Sequence, residues 1–118
     1  MEKLINAVNW DELEWQVVRP GLRRKVYHGE NITITYNVAM EGMELNPHSH
    51  IHEQLVYWLQ GRSDFNIGGE IYHMVPGSVV AIPPNVKHFA NTVEGPALNV
   101  DIFVPIRPEY EASKKIEK

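Results

Sequence analysis

Three histidines and one amide carry the densest chemical information in this chain. His48 and His50 are separated by a single residue, Gln54 follows shortly after, and His88 comes from a distant segment. In an extended strand, residues two apart point to the same face, so His48 and His50 present two imidazoles side by side. His88 follows a Pro83-Pro84-Asn85 turn, and closing a sheet can bring its strand beside the first. Three neutral imidazole nitrogens and one amide oxygen suit one divalent transition metal, among zinc, nickel, manganese, iron and cobalt. Such a set leaves room for water or substrate, which is the catalytic arrangement. Gln54 brings no charge, so the ion would keep its own, favouring Lewis acidity and an anionic ligand. A lone histidine is more often a packing or surface residue; His28 and His73 are read that way, both facing solvent. His52 shares the parity of the pair and stays ambiguous, as a further ligand or as a group that orients one.

A second group lies near the end of the chain. In Asn99-Val-Asp101-Ile-Phe103-Val-Pro105-Ile-Arg107, Leu98, Val100, Ile102 and Val104 make one apolar face. Asn99, Asp101 and Phe103 make the other, which would look into a barrel toward the metal. Arg107 follows the Pro105 turn and could fold over the mouth. The plainer alternative makes Asp101 an edge-strand charge and Arg107 its exposed partner.

The elements that must position these groups read as short extended runs punctuated by turns, which argues an all-β fold. Ile32, Ile34, Tyr36 and Val38 alternate with Thr33, Thr35 and Asn37, a half-buried strand entered by a Gly29-Glu30-Asn31 turn. Gln54 to Leu59 is a β-rich run ending at Gly61, and Phe65 to Ile71 a hairpin turning at Gly68-Gly69. A strand at Ser78–Ile82 lies between Pro76-Gly77 and Pro83-Pro84-Asn85, and Ala97 to Val104 is a last long strand that Pro105 and Pro108 end. Asn9 to Leu13 allows one helical turn, and Glu111 to Lys118 reads as a frayed tail or short helix. Met40 and Met43 are barrel filling rather than ligands, since thioether sulfur is softer than the other donors. Trp10 and Trp15 are core or interface packing.

The 118 residues suffice for one core, and the sequence reads as a single domain, 1–118, with a barrel at about 30–105, N-terminal strands at 13–28 and a charged tail at 109–118. The net charge of −4 and the lack of a basic stripe argue against nucleic acid. There is no cysteine, which excludes disulfides, thiol catalysis and thiolate metal sites. No apolar run approaches membrane-spanning length and the N-terminus has no apolar leader segment, so a cytoplasmic protein with no membrane partner is expected. The Leu98/Val100/Ile102/Val104 and Leu55/Tyr57/Leu59 faces need more cover than one small barrel provides, which predicts a homodimer.

Gly42, His48, His50, Gln54 and Gly61 resemble the first cupin motif position by position, with Gln54 in place of the usual glutamate. Gly77, Pro83 and His88 resemble the second; Asn85 stands for its glycine, and Thr92 for its later asparagine. The resemblance implies a double-stranded β-helix, the jelly-roll barrel, with a metal in its mouth. Asp101-Ile-Phe103-Val-Pro105-Ile-Arg107 is further similar to the ending of small KdgF-type cupins, which open the 4,5-unsaturated monouronates left by pectin or alginate breakdown to linear keto-uronates. Val104, Ile106 and Pro108 depart from that pattern. Pro20 to Asn31 is similar to the N-terminal strands of the same cupins. On this resemblance His48, His50, Gln54 and His88 hold the metal, Asp101 is the general acid/base, Arg107 clamps the carboxylate of a small sugar acid, and Phe103 packs on its ring. Two other readings stand beside it: another metal-dependent cupin activity, such as a small-molecule dioxygenase or a cyclase or isomerase, and a non-catalytic cupin that binds a sugar acid or metal.

Overall fold

The computed structural model describes residues 6–117. A single 3₁₀ turn, Trp10–Glu12, is followed by β1 (Gln16–Arg19), β2 (Leu22–His28), β3 (Thr33–Ala39), β4 (Glu53–Ile67), β5 (Glu70–Met74), β6 (Val79–Ile82) and β7 (His88–Val104). All pairings are antiparallel, in the order β1-β2-β3-β7-β4-β5, with β6 also on β4.

Two long strands build the barrel. β4 and β7 pair from Glu53↔Val104 to Ile67↔His88. The first part of β4 also holds β6, its second part holds β5, and the second part of β7 holds β3. Each long strand thus passes through both walls of a jelly roll, and β1, β5 and β6 are the strands with a single partner. The run ending at Gly61 and the run starting at Phe65 are therefore one strand, and β7 begins nine residues before the expected Ala97.

The physical reason lies at the bend. The β4–β7 register slips three times between Trp58 and Ser63. Before the slips Gln54, Val56 and Trp58 are buried; after them Ser63, Phe65 and Ile67 are. β7 switches in step, from His88 and Thr92 to Ala97, Asn99 and Phe103. Bulges of this kind kink a strand and change which side chains face inward. Gly61 sits in the bend with φ +72°, where an added Cβ would lie 2.6 Å from the carbonyl oxygens of both Glu94 and Pro96. Gly61 bends a strand rather than ending one.

The barrel is polar inside at one end. Thr33 and Thr35 of β3 are buried, and Ile34 and Tyr36 face outward, where Tyr36 packs against Trp10 and Trp15. The apolar core gathers at the other end around Val56, Trp58, Phe65, Ile67, Met74 and Ile82. Met43 packs against it, whereas Met40 is exposed and fills nothing. The expected frayed tail or helix is instead an extended segment docked on the N-terminal region. Leu13 bridges Lys115, and Ser113 exchanges hydrogen bonds with the Val26 backbone. Its backbone groups find partners there that a solvated tail would lack.

Gly61→Ala places a methyl group against backbone that has no freedom to yield. It should lower stability by about 2 kcal/mol or more. Urea denaturation would read this directly, and a loss below about 0.5 kcal/mol would show that the bend tolerates a side chain.

Candidate active site

His48 lies before β4 and His88 opens β7. A two-way backbone bridge joins them: His48 N–H donates to the His88 carbonyl (3.1 Å) and His88 N–H to the His48 carbonyl (2.8 Å). The turn before His88 is held by the Asn85 N–H, which donates to the His50 carbonyl at 2.7 Å. Asn85 adopts φ +64°, the left-handed conformation that suits asparagine in place of glycine.

The three rings are anchored alike. Nδ1 of His48, His50 and His88 meets the backbone carbonyls of Asn46 (2.6 Å), His52 (3.1 Å) and Val86 (2.9 Å). A ring donating through Nδ1 keeps a lone pair on Nε2, the tautomer that binds metal. The side chains offer one ligand atom each, all within 4.8 Å of one another. Nε2 of His88 is buried without a partner among the described residues, as expected of an atom that has a ligand still to meet. Burial pushes the His88 imidazole down to about 4 and lowers that of His50, so both favour the neutral, ligating form. The donor set fits one divalent metal.

Gln54 is buried, and its Oε1 lies 3.0 Å from Nε2 of His50. The amide oxygen stands where it could join the three histidines as a fourth donor to a metal. The other end of the amide donates to Asp101. Asp101 also accepts from Nδ2 of Asn37 (3.0 Å) and Nδ2 of Asn99 (3.0 Å). Loss of water around the carboxyl pushes it up to about 7, against the pull of the Gln54 and Asn37 hydrogen bonds and the Arg107 charge. Such a carboxyl can exchange a proton near neutral pH.

Asp101 and Arg107 do not form the exposed ion pair of the plainer alternative. The Arg107 side chain is only 11% exposed, and its Nε pairs with Glu109 at 3.2 Å. Its guanidinium stacks on Tyr110 (4.1 Å to the ring centre) and on Phe103 (4.9 Å). Nη1 is buried with no hydrogen-bond partner among the described residues, an unused donor in the cavity wall. Phe103 is 2% exposed and packs edge-to-face with His50, their ring centres 5.6 Å apart.

One cavity of about 450 Å³ takes in His48, Gln54, His88, Asp101, Phe103 and Arg107. Of the expected site residues, His50 alone does not line it, lying behind its neighbours in the same cluster. His52 is buried outside the three-histidine cluster; its carbonyl orients His50. His73 is exposed beside Asp64, but His28 is half-buried, bonded to the Thr33 hydroxyl (2.8 Å) and the Tyr110 carbonyl (2.7 Å). Asn37, Tyr110 and Arg24 were not singled out by sequence. Asn37 is legible only as one polar member of an alternating strand, and Arg24 and Tyr110 only in space, where the Arg24 guanidinium lies 3.8 Å from the Tyr110 ring centre.

A family model described as a cupin domain matches residues 35–103, more than half of the chain. A search of curated proteins returned no match. Among solved structures, KdgF from Halomonas sp. is 30% identical, with TM-score 0.80 over 86% of this chain and 94% of that one. An RmlC-like cupin from Shewanella frigidimarina is 25% identical, with TM-score 0.80 over 86% and 92%. A Thermus thermophilus protein at 17% identity and TM-score 0.71, over 86% and 98%, shares the fold. With the three-histidine cluster inside a jelly roll and this match, the chain belongs to the cupin family.

Proposed function

We propose that the chain is a metal-dependent enzyme that opens and ketonises 4,5-unsaturated monouronates to linear keto-uronates. The observation that carries this reading is the meeting, in one cavity, of the histidine cluster with a near-neutral carboxyl and an unpaired guanidinium donor. The likeness to KdgF supports it.

His48, His50, Gln54 and His88 hold the metal, which when bound supplies Lewis acidity toward an anionic ligand. Arg107 receives the substrate carboxylate through the donors that Glu109 does not occupy. Its stacking on Phe103 and Tyr110 fixes the fork in place, and Phe103 packs on the sugar ring. The reaction is an isomerisation. The anomeric hydroxyl loses a proton as the bond from C1 to the ring oxygen breaks, giving an aldehyde at C1 and an enolate at C5. The enolate then takes a proton at C4 and becomes a ketone. Asp101 accepts the first proton and delivers the second, a task suited to a carboxyl poised near 7. The Asn37 and Asn99 amides hold its two oxygens while it does so.

A homodimer completes the proposal. Across β3, β7, β4 and β6, Ile34, Ile102 and Leu55 make one outward row, and Tyr36, Val100, Tyr57 and Val79 the next. Leu55, Tyr57 and Val79 are 39%, 46% and 55% exposed. A flat apolar sheet face of this kind suits an isologous contact with a second copy.

The conjugated double bond of unsaturated galacturonate absorbs in the ultraviolet and the linear ketone does not. The enzyme should speed the loss of absorbance, chelator should abolish the effect and added metal should restore it; a rate no faster than the spontaneous one would sink the proposal. Asp101→Asn keeps the shape of the side chain and removes the proton carrier. It should lower kcat about a hundredfold or more, and turnover within a few-fold of wild type would refute the assigned role. Light scattering at micromolar concentration should give twice the chain mass, and Tyr57→Glu should halve it; a wild-type monomer would overturn the dimer.

A further inference from the structure

The deep wall of the cavity holds three polar groups that the proposed chemistry does not use. Ser63 of β4 and Thr92 of β7 are cross-strand partners, and Trp58 lies just before the β4 bend. All three side chains line the cavity. They are 2%, 6% and 2% exposed, respectively, for Ser63, Thr92 and Trp58. Ser63 Oγ, Thr92 Oγ1 and Trp58 Nε1 all lack a hydrogen-bond partner among the described residues. A buried hydroxyl or indole N–H left unpaired costs about 1–3 kcal/mol, so three together at one cavity wall call for a partner that enters the cavity. Hydrogen bonding within the barrel does not account for them, because Ser63 and Thr92 face each other across the ladder without bonding.

Their position relative to the charged groups is set by the strand. From His88 to Thr92 the chain runs about 13 Å along β7, away from the histidine cluster. Thr92 stands where the second cupin motif carries asparagine, so this pairing with Ser63 is a feature of this chain rather than of the motif. Ser and Thr hydroxyls both donate and accept, and the indole N–H donates only. That combination matches neighbouring alcohol groups, which also do both.

We infer that Ser63, Thr92 and Trp58 form a subsite for the hydroxyl groups of a polyhydroxylated ring whose acid end is held at Arg107. This deepens the sugar-acid reading and rests on it. It makes the cavity selective for sugar acids over acids of the same ring shape that lack hydroxyls, because such a ligand would leave the three groups unpaired.

The test compares two stable probes on the metal-loaded full chain by calorimetry. Galacturonate carries the ring, carboxylate and hydroxyls; oxane-2-carboxylate carries the ring and carboxylate alone. Wild type should bind galacturonate more tightly. The conservative variants Ser63→Ala and Thr92→Val should each weaken galacturonate about threefold to tenfold and leave oxane-2-carboxylate unchanged. Neither should lower Tm, since each removes an unpaired buried hydroxyl and leaves the carbon framework. Galacturonate binding unmoved by both variants, together with a lower Tm, would assign the hydroxyls to internal water and overturn the subsite alone. Wild type binding oxane-2-carboxylate as tightly as galacturonate would do the same. Failure of wild type to bind either acid would overturn the sugar-acid reading and the subsite with it.

Discussion

Two backbone hydrogen bonds between His48 and His88 set the geometry of the site. Each is worth only about 1 kcal/mol net, so the bridge does not hold the barrel together; the β4–β7 ladder does that. What the bridge fixes is direction. Directly paired residues project to the same side of a sheet, and the two rings lie 4.4 Å apart as a result. Carbonyl contacts at each Nδ1 then leave every Nε2 turned toward a common point. The order of the site is built into the backbone, and a metal arriving there would have little side-chain entropy left to remove. Crowding three imidazoles also discourages protonation, because each charge would disfavour the next.

A site of this kind constrains the rest of the barrel. Polar groups inside must find partners or lie against a cavity. Much of the interior therefore satisfies itself: Asn37 links Asp101 to Thr35, while Thr33 joins His28 to the Arg107 backbone. The usual driving force of apolar burial is displaced to the closed end around Val56, Trp58 and Ile82, and to the outer rows of β3, β4, β6 and β7. Arg107 illustrates the same economy. Its charge is kept close to the interior by Glu109 on one side and by two aromatic faces. Those faces offer electrostatic attraction without occupying the hydrogen-bond donors.

The sequence was most legible where chemistry and period coincide. The His-x-His spacing, the turn at Asn85 and the alternation from Leu98 to Val104 each state a local rule that the barrel obeys. Pattern failed where the rule is non-local. Alternation along Ile32–Val38 reads the same whichever face turns inward, and the buried face proved to be the threonine side. Gly61 looks like a strand end because glycine is common in turns, but the φ it supplies serves a bend within one strand. The segment from His88 to Gly95 has too many polar residues to suggest a strand; its inward side faces a cavity rather than a core. The docked tail was equally hidden, because its partners lie about a hundred residues earlier in the chain.

Gln54 shows how one substitution in a motif couples the proposed roles. Its oxygen faces His50 and its nitrogen faces Asp101, so the amide joins the cluster to the carboxyl with a donor on one side and an acceptor on the other. A glutamate there would bring two carboxyl groups into contact, and like charges at that distance force one of them to keep a proton. That shared proton would tie the state of Asp101 to the state of the metal ligand. With the amide no proton is shared: residue 54 stays neutral in every state, and Asp101 is free to gain or lose its proton alone. The proposed acid/base role of Asp101 needs that independence, and glutamine would supply it while keeping an oxygen available to a metal.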